Sequence, residues 1–321
     1  MDSLIVNAGQ IEPISSGPVN AGVNKRTRLP LAFGSVQDEL NFMGLRSMLD
    51  FGRGYEDLLV QDTKRTFDEV VLFGMINLHI SGTKLDVAFM KQVNPLSISN
   101  HFGFSIGKDE EIMTGVYKMV DGPLKVYAGL MVQCLNETAT KLESLGFNSF
   151  GEFLYDYLNG KTVTAQEFVQ HLSNNFDAFK DQTKMGDNRM LYFCRKATIL
   201  AGDIYDRFIA VQEDGSQDKG LSDCFQDIRS IGIKVDAELI NALLRAEILP
   251  ATTFPTTKLE LDRDIAVETQ LRVKSFDVCN DILQNVSINP WQLDEYLRAT
   301  FLEVSPESPT TKLEVVNSTN Y

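Results

Sequence analysis

The run Asp227-Ile-Arg229-Ser-Ile-Gly232-Ile-Lys-Val-Asp236 is a glycine-containing loop that ends on a carboxylate at the start of a helix. A carboxylate in that place has two uses. Held in a pocket, it attacks a sugar anomeric carbon or stabilises an oxocarbenium-like centre. It is also a preferred N-cap, accepting from the amide of Glu238 or Leu239, and caps far outnumber catalytic carboxylates. Arg195-Lys196 lies beside an apolar stripe and marks either a phosphate site or a solvated face; helix charges usually face solvent, so spacing favours the second. Asp203 follows Arg195 by two helical turns on a similar face, which leaves a buried pairing open. Glu268, within Ala-Val-Glu-Thr, is either a buried functional acid or an exposed one. Gly52-Arg53-Gly54-Tyr55 lets a backbone approach an anion with Arg53 as a fork-shaped donor, or is simply a tight turn after a helix, the commoner role.

Other chemistries are disfavoured. The only histidines are His79, His101 and His171, and none has a metal-ligand spacing, so a zinc hydrolase or a histidine-based triad is not expected. Cys134, Cys194, Cys224 and Cys279 are far apart and read as small buried hydrophobes in a reducing compartment. Gly103 to Gly107 (Gly-Phe-Ser-Ile-Gly) lacks the Gly-Lys-Ser/Thr ending of a P-loop, so a nucleoside triphosphatase is not supported.

Helices must position these groups. Thr164-Ala-Gln-Glu167 is a capping box, followed by Phe168, Leu172, Phe176 and Phe179 at helical spacing. Leu135, Ala139, Leu142 and Leu145 form a second stripe, closed by Gly146. Phe193, Ala197, Leu200, Ile204 and Phe208 form a third, and Leu239, Leu243 and Ala246 a fourth that Pro250 stops. Asn289-Pro290 opens a last helix carrying Trp291, Leu293, Leu297 and Phe301, in which the lone tryptophan reads as core. Residues 70–80 are apolar nearly all round and predict a central buried helix. Strand-like alternation is scarce. The expectation is an all-α protein: a mobile arm over 1–29, one two-lobed helical unit over 30–304, and a tail over 305–321.

The 321 residues hold 44 acidic and 30 basic side chains, a net charge of -14. That balance disfavours duplex nucleic acid and anionic membranes as partners, because phosphate binding needs clustered positive charge. No stretch approaches the ~20 apolar residues of a spanning helix. Met1 to Asn24 has neither a basic nor an apolar signal region, so a cytoplasmic location is expected.

Four segments in order resemble the queuosine salvage protein family, the queuosine 5′-phosphate N-glycosylases. Asp38-Glu-Leu-Asn41-Phe42 is similar to its Asp-x-Leu-Asn-Phe segment, and Leu135-Asn-Glu-Thr138 with Leu142 to its Leu-Asn-Glu-Thr helix. Phe176-Asp-Ala-Phe-Lys-Asp181 and Tyr192-Phe-Cys-Arg195-Lys196-Ala-Thr-Ile-Leu-Ala-Gly-Asp203 resemble its Phe-Pro-x-aromatic-basic-Asp and Phe-x-Lys-Arg-Ala-x-Ile-Leu-x-x-Asp runs. Cys224-Phe-Gln-Asp227-Ile228 leads into Asp236 as the family's Phe-x-Asp-Ile leads into Phe-Ala-Asp-Tyr-Arg. Here Lys234-Val235 replaces the aromatic before the Asp, Glu238 stands for the Arg, and Met43-Gly44-Leu45 for a Trp.

The resemblance implies a helical fold related to helix-hairpin-helix DNA glycosylases. It implies release of queuine from queuosine 5′-phosphate, a small nucleotide substrate, without metal or organic cofactor. Asp236 would be the catalytic carboxylate. Asn41 and Phe42 would lie near the base, and Arg195 or Lys196 would take the phosphate, with Asp203 and Glu268 as further substrate-binding candidates. The three departures motivate a second expectation, a catalytically lapsed relative that binds a nucleotide or a protein.

Overall fold

Polar side chains fix where the helices of this chain begin. In a computed structural model, residues 31–184, 190–210, 220–249, 258–286, 288–302 and 314–316 are described. Ser35 accepts from the Asp38 amide and starts α1, Val36–Met48. A short 3-10 turn, Arg53–Tyr55, leads into α2, Glu56–Thr63. The Thr66/Glu69 capping box opens α3, Phe67–Ile80. Asp86 caps α4, Val87–Gln92, and the Asn94/Ser97 box opens α5, Pro95–Phe102. The long α6, Leu124–Leu145, ends on Gly146 in the left-handed region. Ser149 caps α7, Phe150–Leu158, and the Thr164/Glu167 box opens α8, Ala165–Asn175. Then follow α9, Arg195–Ile204, with a π-helical continuation Tyr205–Ile209; α10, Ala237–Arg245, capped by Asp236; α11, Leu261–Asn285; and α12, Pro290–Phe301, opened by the Asn289/Gln292 box. The architecture is mostly α, as expected.

Sheet is confined to two-stranded pairs among the described residues. β1, Gly107–Met113, and β2, Val116–Asp121, form an antiparallel hairpin, and β3, Gln182–Lys184, pairs antiparallel with β4, Met190–Tyr192. β5, Lys258–Glu260, runs parallel to β6, Glu314–Val316. The expected arm, 1–29, lies outside the described residues, as does the expected tail except for β6.

The apolar stripes gather into two cores. The first draws on α1 to α9 and reaches Ile228. The second is built from Phe193, the Ile233–Val235 segment, α10, α11 and α12. The helix expected to be buried all round is α3, but Phe73 and Ile80 are exposed while Val70, Val71, Met75 and Leu78 are buried. An apolar run does not say which face meets neighbours.

α1 and α7 touch backbone to backbone. A Cβ on Gly151 would lie 2.1 Å from the Gln37 carbonyl oxygen, and the Gly151 amide donates to Asn41 Oδ1 at 3.0 Å. No rotamer relieves a clash with backbone. Gly151→Ala is therefore expected to destabilise by roughly 3 kcal/mol, read as a lower urea midpoint with an unchanged slope.

Candidate functional site

Charged side chains meet where the two cores adjoin. Asp236 is the N-cap of α10: its Oδ1 accepts from the Leu239 amide at 2.9 Å. The same carboxylate is buried and binds two guanidinium groups. Arg195 Nε donates to Oδ2 at 2.7 Å, and an Arg298 terminal nitrogen donates to Oδ1 at 3.0 Å. Cap and charged-site readings thus coincide in one residue.

Arg195 extends the lattice to the first core. It donates to the Asp50 carbonyl at 2.9 Å and to Asp50 Oδ2 at 3.1 Å. Arg53, just past Gly52 at φ 117, pairs with Asp50 Oδ1 at 3.0 Å, Asp68 at 3.3 Å and Glu238 Oε1 at 2.5 Å. Arg298 donates to Glu238 Oε2 at 2.7 Å and to Asp294 Oδ1 at 3.1 Å, and Lys234 binds Asp294 Oδ2 at 3.0 Å. Lys234 also lies over the Trp291 ring, 5.0 Å from its centroid.

A second pair braces this lattice. Arg272 grips Asp181 with both terminal nitrogens, at 2.5 and 2.6 Å, and donates to the Val235 carbonyl at 3.2 Å. The Asp181 carbonyl accepts from the Phe193 and Cys194 amides, so one residue holds both the entry to α9 and, through Arg272, the residue before Asp236.

The residues singled out in the sequence separate into groups. Arg195 and Lys196 are each only 2% exposed, which overturns the solvated-face reading. Lys196 Nζ donates to the Met48 carbonyl at 2.8 Å and lies over the Phe51 ring, so it caps the C-terminus of α1. Burial lowers its ammonium below the usual lysine value. Asn41 donates to the Leu85 carbonyl at 2.8 Å and accepts from Gly151, tying α1 to α7. Phe42 packs edge-on against Phe33 and His79. Neither is joined to Asp236 by these contacts. Asp203 is half-buried on α9. Glu268 falls on α11, with its side chain outside the described ones. Asp227 accepts from the Ala165 and Gln166 amides at the start of α8, at 2.6 and 3.3 Å.

Asp50, Arg298, Asp294 and Arg272 were not singled out by sequence, and Asp181 entered only as the end of a family-like run. Asp294 and Arg298 carried one local signal, an i,i+4 acid–base spacing on a recognised helix. Asp50 carried none. Among the described residues no group of three or more metal-ligating side chains occurs, and no helix is long and apolar enough to cross a membrane.

The lattice sets the protonation of its members. Burial by itself would raise the Asp236 carboxyl, but Arg298, Arg195, Arg53 and the Leu239 amide hold it far below the usual carboxylate range. Asp294 is lowered as well, against burial, by Arg298 and Lys234. A carboxyl whose folded pKa is depressed stabilises the fold above its unfolded value of about 4, and that stability is lost as pH falls through and below it. Melting temperature should therefore stay level from about pH 7 to 5 and drop below about 4, with a shallower drop in Asp236→Asn. Parallel acid profiles of the two proteins would contradict this.

Fold and lattice define an α-helical protein with an ionised carboxylate cradled by arginines between two apolar cores. The family model for queuosine salvage protein matches residues 123–298, more than half of the chain and a span that includes Asp181, Arg195, Asp236, Arg272 and Arg298. The chain belongs to the queuosine salvage protein family. Among curated proteins, none matches it.

Proposed function

We propose that this protein is an N-glycosidase that hydrolyses queuosine 5′-phosphate and releases queuine, with Asp236 as the carboxylate facing the sugar. One observation carries this reading. In the loop that resembles the family's Asp signature stands a buried carboxylate, oriented by Arg195, Arg298 and the Leu239 amide and kept ionised by them. Breaking the C1′–N bond sends its electron pair to the base, which takes up a proton, and leaves positive charge on C1′. A fixed negative charge stabilises that centre while water adds to C1′, giving ribose 5-phosphate. Fixed orientation matters because a preorganised group need not reorganise as charge develops.

In this reading Asn41 and Phe42 act indirectly. They set α1, which carries Asp50 beyond its C-terminus, and Asp50 holds Arg195 against Asp236. Asp203 and Glu268 remain candidates for contacts to the nucleotide. The reaction uses chemistry of protein side chains and water, and the proposed setting is the cytoplasm, acting on a free nucleotide. Kinship with helix-hairpin-helix glycosylases belongs to the same proposal.

The test is to incubate the protein with queuosine 5′-phosphate and follow free queuine by liquid chromatography. Time-dependent release is the expected result. A second reading has its own observation: both Asp236 oxygens already have partners, and Glu238 stands where the family carries Arg. If queuosine 5′-phosphate and other nucleoside 5′-monophosphates all stay intact, the chain is a lapsed relative that binds a nucleotide or a protein.

A further inference from the structure

The outer edge of the lattice contains a carboxylate bound as a ligand would be. Glu238 is held between two arginines, one on each oxygen: Arg53 Nε at 2.5 Å on Oε1 and Arg298 at 2.7 Å on Oε2. Two guanidinium groups converging on the separate oxygens of one anion is how proteins seize carboxylates and phosphates. The Glu238 side chain is 35% exposed, against 2% for Asp236 and Arg195, so this is the side of the lattice that solvent reaches.

The other charges of the lattice show what holds these two arginines in place. Arg53, Arg195, Arg298 and Lys234 face Asp50, Asp236, Asp294 and Glu238, four cations against four carboxylates. Asp68, a further partner of Arg53 at 67% exposure, adds a fifth carboxylate at the rim. Swing Glu238 outward and one nitrogen on each arginine is freed, Arg53 Nε and one terminal nitrogen of Arg298, while Arg53 keeps Asp50 and Asp68 and Arg298 keeps Asp236 and Asp294. Asp236 and Arg195, each 2% exposed, do not share this freedom. Arg195 and Lys196 are each 2% exposed, so they offer no comparable seat to a ligand arriving from solvent. Beneath the Gly52 turn, the buried Tyr127 hydroxyl has no hydrogen-bond partner among the described residues, and the charges of Asp50 and Arg53 act on it.

The geometry points to Arg53 and Arg298 as an oxyanion seat for a phosphomonoester, which Glu238 occupies as an internal stand-in and vacates when the phosphate enters. Glu238 stands two residues after Asp236 and shares Arg298 with it, in the first turn of α10, where the helix dipole also favours an anion. Glu238 then governs this protein's affinity for its ligand, since every binding event must first displace it. The inference rests on the nucleotide reading given above for the class of ligand, though the seat itself is a binding feature separable from catalysis.

Inorganic phosphate and ribose 5-phosphate are the probes, titrated calorimetrically into the full chain. Glu238→Gln keeps the side-chain length and removes the competing charge. It should bind both probes at least about ten-fold more tightly than the unchanged protein. Adding Arg53→Lys to that variant removes one fork and should cancel the gain. Circular dichroism melts establish that each variant is folded. Equal or weaker phosphate binding by folded Glu238→Gln overturns the seat, as does a gain that Arg53→Lys leaves intact. The two proposals fail separately. Tighter phosphate binding with no cleavage of any nucleotide keeps the seat and sinks the glycosidase. Queuine release with phosphate affinity indifferent to residue 238 does the reverse.

Discussion

Asp236→Asn is expected to reduce queuine release by about a thousand-fold or more, the scale of losing one preorganised charge opposite the transition state. The substitution also weakens the fold. Asparagine can still cap α10, but Arg195 and Arg298 lose the charge that offsets their burial. Breaking a buried pair from one side costs about 3 kcal/mol. Activity must therefore be compared at a temperature where both proteins are folded by circular dichroism. Asp294→Asn is the control. It removes a buried carboxylate from the same lattice, bound to Lys234 and Arg298, without removing the charge assigned to C1′. Its stability should fall by a similar amount and its release rate by far less. If the two variants lose activity equally, lattice integrity matters and the Asp236 charge does not.

The largest loss of stability is expected at Asp181. Its pair with Arg272 is bidentate and both side chains are nearly inaccessible. Asp181→Ala removes the bidentate carboxylate from a guanidinium held between the cores, where it also donates to the Val235 carbonyl and lies over the Phe193 ring, 3.8 Å from its centroid. The expected drop is about 3–5 kcal/mol in urea unfolding. Asp181→Leu combined with Arg272→Met should restore most of it, because an apolar pair of similar volume avoids the desolvation penalty. The restored protein would still lack the Arg272 bond to the residue preceding Asp236. Recovery of stability without recovery of queuine release would assign the pair a positioning role. A single variant as stable as the parent would refute the buried-pair argument.

Local signals carried much of the helical framework. The Thr164/Glu167 and Asn289/Gln292 boxes and the Gly146 stop stand where the residue types require them, because a cap is satisfied within one turn of chain. The same locality explains a partial miss. Phe176 and Phe179 continue the stripe of α8 and are buried, yet the helix stops at Asn175 and a 3-10 turn carries them onward. The β1–β2 hairpin gave no alternation to read, since nearly all its residues are exposed and no core face selects every second side chain.

The sequence by itself determined the helical class, several of the caps and the loop that delivers Asp236 to the head of α10. Those depend on neighbours a few residues apart. Only the tertiary structure decided which charges are buried. Arg195 and Lys196 look like solvated helix charges in the sequence, and the partner that helps bury Arg195, Asp50, is 145 residues away. Likewise Arg298 reaches Asp236 across 62 residues and Arg53 reaches Glu238 across 185. A charge is stable in the interior only when opposite charges and donors arrive with it, and their arrival is a property of how the helices pack. Placing Asp236 in that setting, where its cap role and its ionised state are both enforced, is the work of the packed cores.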